Sequence, residues 1–349
     1  MAKTGKYLYG IIASSAPEFS RPGAIVDFAD IYVVPCQDLA AVVGDSEIVD
    51  YQHMRKDALA MLLVRHQKVI EKIMELGHAV IPIRLGTFAA DDAAVRDILS
   101  KGHRLIHEIL PKINDKIEID VAAVWKDFGP AIKEIGQHPE IMELKKTLLG
   151  NPQGVTMDDQ MKVGLAVKKL LDAKREHVAN LIQAALKDLS HDCRAHELMD
   201  DQMVVNCAFL ISRAEQEGFY ARVEGLDAEL AGKLNFRCIG PLPPYSFYTL
   251  EIKKMDFQEL EWARNKLGLL SPVATKNEIK KAYHRAAISF HPDKNPDTPG
   301  MDKEFGIVKR AHKILADYCL ASEQTRPGED IPFGEERFQE RSILVKVGE

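Results

Sequence analysis

The sequence predicts an α+β fold that closes in an all-α module. Three observations carry this. Short strand-like runs interleave with amphipathic helical stretches through residues 5–252. No segment repeats at a fixed period, which excludes solenoids and propellers. Residues 257–317 lose the strand pattern and read as three helices in succession.

The elements follow in order. Residues 7–13 are a strand, and 31–34 and 39–43 are two more, split by Pro35. Residues 57–76 form an amphipathic helix with Leu59, Leu62, Leu63, Val69, Ile70 and Ile73 on its inner side. Residues 80–85 are a strand in which Pro82 marks an edge or a bulge. Residues 91–110 form a second helix, opened by Asp91 and Asp92 at the positive end of its dipole. Residues 117–125 alternate as a further strand, and strands with two helices crossing one face suggest a ferredoxin-like lobe over 1–125. Residues 128–149 are helical and 151–154 are a turn. Thr156 and Asp159 cap a long helix running to Leu189. A strand at 203–211, a mainly helical stretch at 214–233, a strand at 236–239 and an extended run at 248–252 complete a second α+β lobe within 126–252. The tail, 326–349, alternates at 342–347 and either returns as a strand to an earlier sheet or stays loose.

Composition narrows the function. A chain of 349 residues suits two or three domains, and 46% apolar residues are ample for packed cores. Net charge is −6, while residues 253–320 alone carry 13 Lys/Arg against 9 Asp/Glu, leaving about −10 for the rest. That balance argues against nucleic-acid binding. Cys36, Cys193, Cys207, Cys238 and Cys319 are scattered without a C-x-x-C pair, which points to free thiols in a reducing compartment. His191-x-Cys193-x-x-His196 resembles a metal triplet but lacks a nearby fourth ligand, so no metal or cofactor is expected. The N-terminus does not read as a signal peptide, and no apolar run reaches the roughly 18 residues of a membrane span. Phosphate-loop, dinucleotide, nucleophile-elbow and zinc-protease motifs are all missing, so the chain is not expected to be an enzyme.

The C-terminal module carries the sharpest motif. Thr275 and Glu278 form a capping box that starts a helix at Lys276. Ile279, Tyr283, Ala286 and Phe290 make its apolar stripe, with Lys280, Lys281, His284 and Arg285 largely off it as a positive face. Pro292 ends the helix at His291 and leaves His291-Pro292-Asp293 on a turn. A return helix over 302–317 repeats the stripe through Phe305, Val308, Ala311 and Leu315, and 257–269 supplies a third helix. This order of motifs resembles a J-domain. The resemblance implies docking on a DnaK-type chaperone and stimulation of its ATP hydrolysis, through His291, Pro292, Asp293, Lys280, Lys281, Tyr283 and Arg285. The chain departs from the family at Leu270, which lengthens a loop, and at His312, where Tyr is usual.

Residues 5–252 carry a second resemblance. The runs at 7–11 (YLYGI), 39–43 (LAAVV), 81–88 (IPIRLGTF), 208–211 (AFLI) and 240–247 (GPLPPYSF) resemble the gas vesicle protein F/L family. The resemblance implies two ferredoxin-like lobes joined by helices, followed here by the J-domain-like helical module. It also implies an accessory role: binding the small hydrophobic shell protein of gas vesicles, alongside other gas vesicle accessory proteins. Candidate client contacts are Arg84, Pro241, Pro243, Pro244, Tyr245 and Phe247. The prolines equally suit a rigid strand-entry turn, and Arg84 equally suits a carboxylate pair in the fold. Together the resemblances imply a cytoplasmic, vesicle-associated assembly co-chaperone. The alternative is a structural or nucleating vesicle component whose J-like module only docks.

Overall fold

The first three strands of the chain alternate buried side chains on both faces, which requires cover on both sides of their sheet. The computed structural model describes residues 4–13, 30–49, 51, 54–150, 154–295 and 298–348. The chain divides into two units, residues 1–114 with 248–349, and residues 115–247.

In the first unit β1 (Thr4–Ala13), β2 (Ile31–Cys36) and β3 (Leu39–Glu47) precede α1 (Lys56–Glu75), β4 (Ile81–Pro82), β5 (Phe88–Ala89) and α2 (Asp92–Ile113). The sheet runs β2-β3-β1-β4 with antiparallel neighbours, and β5 also pairs with β1. Leu8 joins Ile98, Leu99 and Ile106 of α2 in one apolar cluster. Tyr7 and Tyr9 turn to His66 on α1, with the Tyr7 hydroxyl 2.8 Å from His66 Nδ1. The two helices therefore cover opposite faces rather than one, since the neighbouring β1 residues Tyr7 and Leu8 point to different helices. Burial pulls the His66 pKa down to about 4, so its ring is neutral. The strand expected at 80–85 shrinks to two ladder residues, since Pro82 has no N–H to give. Leu63, expected inside, is 52% exposed; the buried positions of α1 begin only at His66.

The second unit contains β6 (Lys116–Trp125), α3 (Phe128–Gly136), α4 (Pro139–Leu149), α5 (Met157–Lys187), β7 (Asp192–Ala195), β8 (Met203–Ser212), α6 (Gln216–Glu229), β9 (Leu234–Leu242) and a single turn, α7 (Tyr245–Tyr248). Its sheet runs β7-β8-β6-β9, all antiparallel. In both lobes the second, third, first and fourth strands lie side by side in that order, the ferredoxin-like arrangement.

This corrects one expected boundary. Residues 116–125 do not finish the first lobe but form a central strand of the second sheet, so the division falls after Asn114. Alternation identifies a strand but not its neighbours, which here lie far downstream. The helical stretch at 128–149 is broken because His138, ahead of Pro139, is extended at ψ 136°. The expected cap of α5 is present: Thr156 Oγ1 accepts from Asp159 N at 3.2 Å, and Asp159 Oδ2 accepts from Thr156 N at 3.1 Å.

The chain then returns to the first unit through β10 (Leu250–Lys254), α8 (Phe257–Lys266), β11 (Val273–Ala274), α9 (Lys276–Ser289), α10 (Met301–Thr325), β12 (Ile331–Pro332), α11 (Glu335–Arg341) and β13 (Ile343–Val347). The tail is a returning strand: β13 pairs antiparallel with β10, from Leu250 opposite Val347 to Lys254 opposite Ile343. Ile343 and Val345 enter the α2 cluster, where Gly102 makes room; a Cβ there would stand 3.0 Å from Val345. β12 pairs with β11, and Ile331, Phe333 and Phe338 join Leu260, Ile279 and Leu315 in the helical module. Residues 326–348 thus complete two cores at once. Met255 alone separates β10 from Asp256, the N-cap of α8.

Candidate functional site

Two helix starts set the geometry of the C-terminal module. Asp256 accepts from the N–H groups of Gln258 and Glu259, at 2.8 and 3.0 Å, and opens α8. Thr275 and Glu278 exchange the bonds of a capping box, 3.2 Å from Glu278 N to Thr275 Oγ1 and 2.8 Å from Thr275 N to Glu278 Oε2. These bonds hold the Glu278 carboxyl below its usual range. Ile279 and Ala282 then face Val308, Ala311 and Leu315 on the antiparallel α10, which leaves Lys280, Lys281, His284 and Arg285 outside. Lys280, Lys281 and Arg285 form no ion pair among the described residues. Beside them a groove of about 840 Å³ runs between α9 and the turn at 268–274.

The loop tripeptide is held from several sides. Pro292 keeps His291 extended at ψ 128°, and a short 3-10 turn, Pro292–Lys294, follows. His291 Nδ1 accepts from Asp293 N at 3.2 Å, which puts the ring proton on Nε2. Asn295 Nδ2 donates to the Ser289 and His291 carbonyls, both at 3.0 Å. The His291 ring stands edge-on to Phe305 at 5.0 Å. It is nonetheless 40% exposed, and the Asp293 side chain is 89% exposed. Tyr283 is half-buried and stacks on His312 at 3.9 Å, so its face is committed to the module while its edge is not. Burial lowers the His312 pKa, which favours the neutral, stackable ring.

The structure divides the candidate client contacts. Arg84 lies in the first unit, 66% exposed, with Nη1 3.2 Å from Glu251 Oε1; it follows β4 rather than lying in a strand. The remainder lie in the second unit. Pro241 is exposed and Tyr245 half-buried, but Pro243, Pro244 and Phe247 are buried and serve the fold. Gly240 begins the segment at φ 155°, and a Cβ there would approach the Glu118 carbonyl to 2.9 Å.

Sequence reasoning missed what holds that segment down. Glu118, 1% exposed in β6, accepts from Ser246 N at 2.8 Å and from Ser246 Oγ at 2.7 Å. Ser246 Oγ also lies 3.2 Å from His196 Nε2, and the Arg194 guanidinium sits 5.5 Å over the Phe247 ring. Burial raises the Glu118 pKa to about 7 and raises that of neighbouring Asp120 as well. The available signal was the pair of carboxylates at alternate positions in the apolar run 117–121. His196 is therefore a structural partner of Ser246, and among the described residues no group of His, Cys, Asp and Glu is placed to hold a metal ion. Among the same residues no helix is long and apolar enough to cross a membrane.

The comparisons with known proteins match two successive stretches of the chain. The family model of gas vesicle synthesis protein GvpL/GvpF matches residues 5–249, and that of the DnaJ domain matches residues 266–319. Gas vesicle protein F of Streptomyces sp. (strain CB03234) is 30% identical over 243 residues, covering 69% of this chain and 98% of the relative. The crystal structure of gas vesicle protein GvpF from Anabaena sp. superposes with a TM-score of 0.60 at 22% identity, over 70% of this chain and 98% of that one. The chaperone protein DnaJ of Chlamydia pneumoniae is 41% identical over 64 residues, 18% of this chain and 16% of that protein. On these matches the chain belongs to the GvpL/GvpF gas vesicle family and carries a C-terminal DnaJ domain.

Proposed function

We propose that the chain is a cytoplasmic accessory protein of gas vesicle assembly that holds the vesicle shell protein and recruits a DnaK-type chaperone through its J-domain. The observation that carries this reading is the His291-Pro292-Asp293 turn, pinned by Asn295 and exposed at the end of α9, the helix that carries Lys280, Lys281 and Arg285, which form no ion pair among the described residues. Such a face steers an acidic partner, and a pinned turn presents His291 Nε2–H and the Asp293 carboxylate without an ordering cost. A small hydrophobic shell protein exposes apolar surface before it assembles, which makes a chaperone useful at that stage. Arg84, Pro241 and Tyr245 are the client candidates that retain solvent-facing surface.

The test is single-turnover ATP hydrolysis by the DnaK-type chaperone of the same organism, at low salt, with the full chain. The expected result is faster hydrolysis with the wild type and none of that acceleration with His291→Gln. A wild-type chain that folds but leaves hydrolysis unchanged removes the recruitment role. Co-purification of the shell protein with the full chain tests the client half separately.

A further inference from the structure

Cys193 and Cys207 form a pair that the chaperone reading does not use. The register sets Cys193 opposite Phe209 and Ala195 opposite Cys207, so the two cysteines are diagonal neighbours on one face of β7 and β8. The neighbouring Cys193 thiol lowers the Cys207 pKa, and Cys207 in turn raises that of Cys193. Gln183 of α5 donates its amide to Cys207 Sγ, at 3.2 Å. One sulfur lies at the surface and one behind it: Cys193 is half-buried, and Cys207 is 2% exposed. Cys193 and Gln183 draw the Cys207 thiol down to about 7, while Cys207 and burial push Cys193 up. Cys207 is therefore the more acidic thiol of the two, whereas a buried cysteine in apolar surroundings is inert.

We propose that Cys193 and Cys207 are a peroxide-oxidisable dithiol that closes to a disulfide between β7 and β8. The Cys207 thiolate takes the Cys193 proton as the outer sulfur attacks. Cys193 Sγ attacks one oxygen of a hydroperoxide, the O–O bond breaks, and the leaving oxygen takes a proton and departs as water or an alcohol. Cys207 Sγ then attacks the Cys193 sulfenic acid, the S–O bond breaks, and water leaves. Two thiols are oxidised by two electrons and the peroxide is reduced by two.

The geometry gives the bond a consequence. Diagonal Cα atoms in antiparallel strands lie roughly 7–8 Å apart, and a disulfide usually spans no more than about 6.8 Å. Closure therefore draws β7 towards β8. β7 is a four-residue edge strand with exposed flanks, so it is the side that moves. Arg194, stacked over Phe247, lies on it, and His196, bonded to Ser246, follows directly. Oxidation thus shifts two of the contacts that hold the 240–247 segment.

The experiment treats the full chain with graded hydrogen peroxide, blocks remaining thiols by alkylation and maps the peptides. The expected product has lost the mass of two hydrogen atoms, has a peptide linking Cys193 to Cys207, and keeps the other three of its five thiols alkylated. Cys207→Ala should leave Cys193 as a sulfenic acid trapped by a 1,3-diketone probe, and Cys193→Ser should abolish the link. Circular dichroism checks that each variant folds, and where one does not, the wild-type map decides. Alkylation of both Cys193 and Cys207 at peroxide levels that oxidise Cys36 or Cys238 overturns the proposal, as does a link between different molecules.

Discussion

Gln324 closes the free edge of the last strand: its side-chain oxygen accepts from Val345 N at 3.3 Å, and its side-chain nitrogen donates to the Val345 carbonyl. One amide on α10 thus occupies the place of a neighbouring strand. An open edge there would be a template for pairing with other chains. The same contact ties the J-domain to the strand that enters the α2 cluster.

Removing the tail should therefore damage the first lobe. Leu344→Ala should cost about 2–5 kcal/mol, as for other fully buried leucines, and Gln324→Ala about 1–3 kcal/mol for the unsatisfied backbone groups it leaves. Urea unfolding measures both. A chain cut after residue 252 that unfolds with the wild-type midpoint would show that β13 is dispensable.

His291→Gln should be felt by the fold as well as by the chaperone. The ring packs edge-on against Phe305 and accepts from Asp293 N, so its loss should cost about 1 kcal/mol, more than a bare surface position. Thermal unfolding gives the shift. A small loss of stability with complete loss of ATPase stimulation separates docking from folding.

Lys280→Ala and Arg285→Ala should weaken chaperone docking chiefly by slowing association. Neither residue has an ion-pair partner to lose among the described residues, so stability should stay within about 0.5 kcal/mol. Added salt should reproduce the loss in the wild type and have less effect on the double variant, because screening acts on the same charges. Equal salt sensitivity in both proteins would argue against electrostatic docking.

The second unit should lose stability as pH rises from about 4.5 to about 7. Glu118 has a folded pKa raised to about 7, so in that window the folded chain holds a proton that the unfolded chain has released. Stability is full below the window and declines through it, and Asp120, also raised, adds in the same direction. Glu118→Gln should flatten most of the slope while keeping the bond to Ser246. Urea midpoints between pH 5 and 8 test this, and a slope of the opposite sign would contradict it.

What the sequence reveals depends on how far the deciding contact lies along the chain. The capping boxes at Thr156 and Thr275 were readable because each partner sits three residues away. The break at His291 was readable because Pro292 imposes it on its neighbour. β6 was visible as a strand, but its place in the second sheet depends on β8 and β9. The burial of Pro243, Pro244 and Phe247 depends on Glu118, more than a hundred residues upstream, and no local pattern announces it. The thiol pair depends on a register that spacing in sequence does not encode.

The single residue between Lys254 and Asp256 bears on how such a chain can be recombined. A graft of residues 253–325 onto another family member would carry the helices but leave Leu260 and Ile279 without Ile331 and Phe333. The portable cassette is 250–348, strand to strand, and its recipient must offer a glycine at the position of Gly102 to seat Val345. A chimera built to those limits inherits the J-domain held by β10 and β13, so the recipient lobe, and not a linker, decides which way the His291-Pro292-Asp293 turn faces.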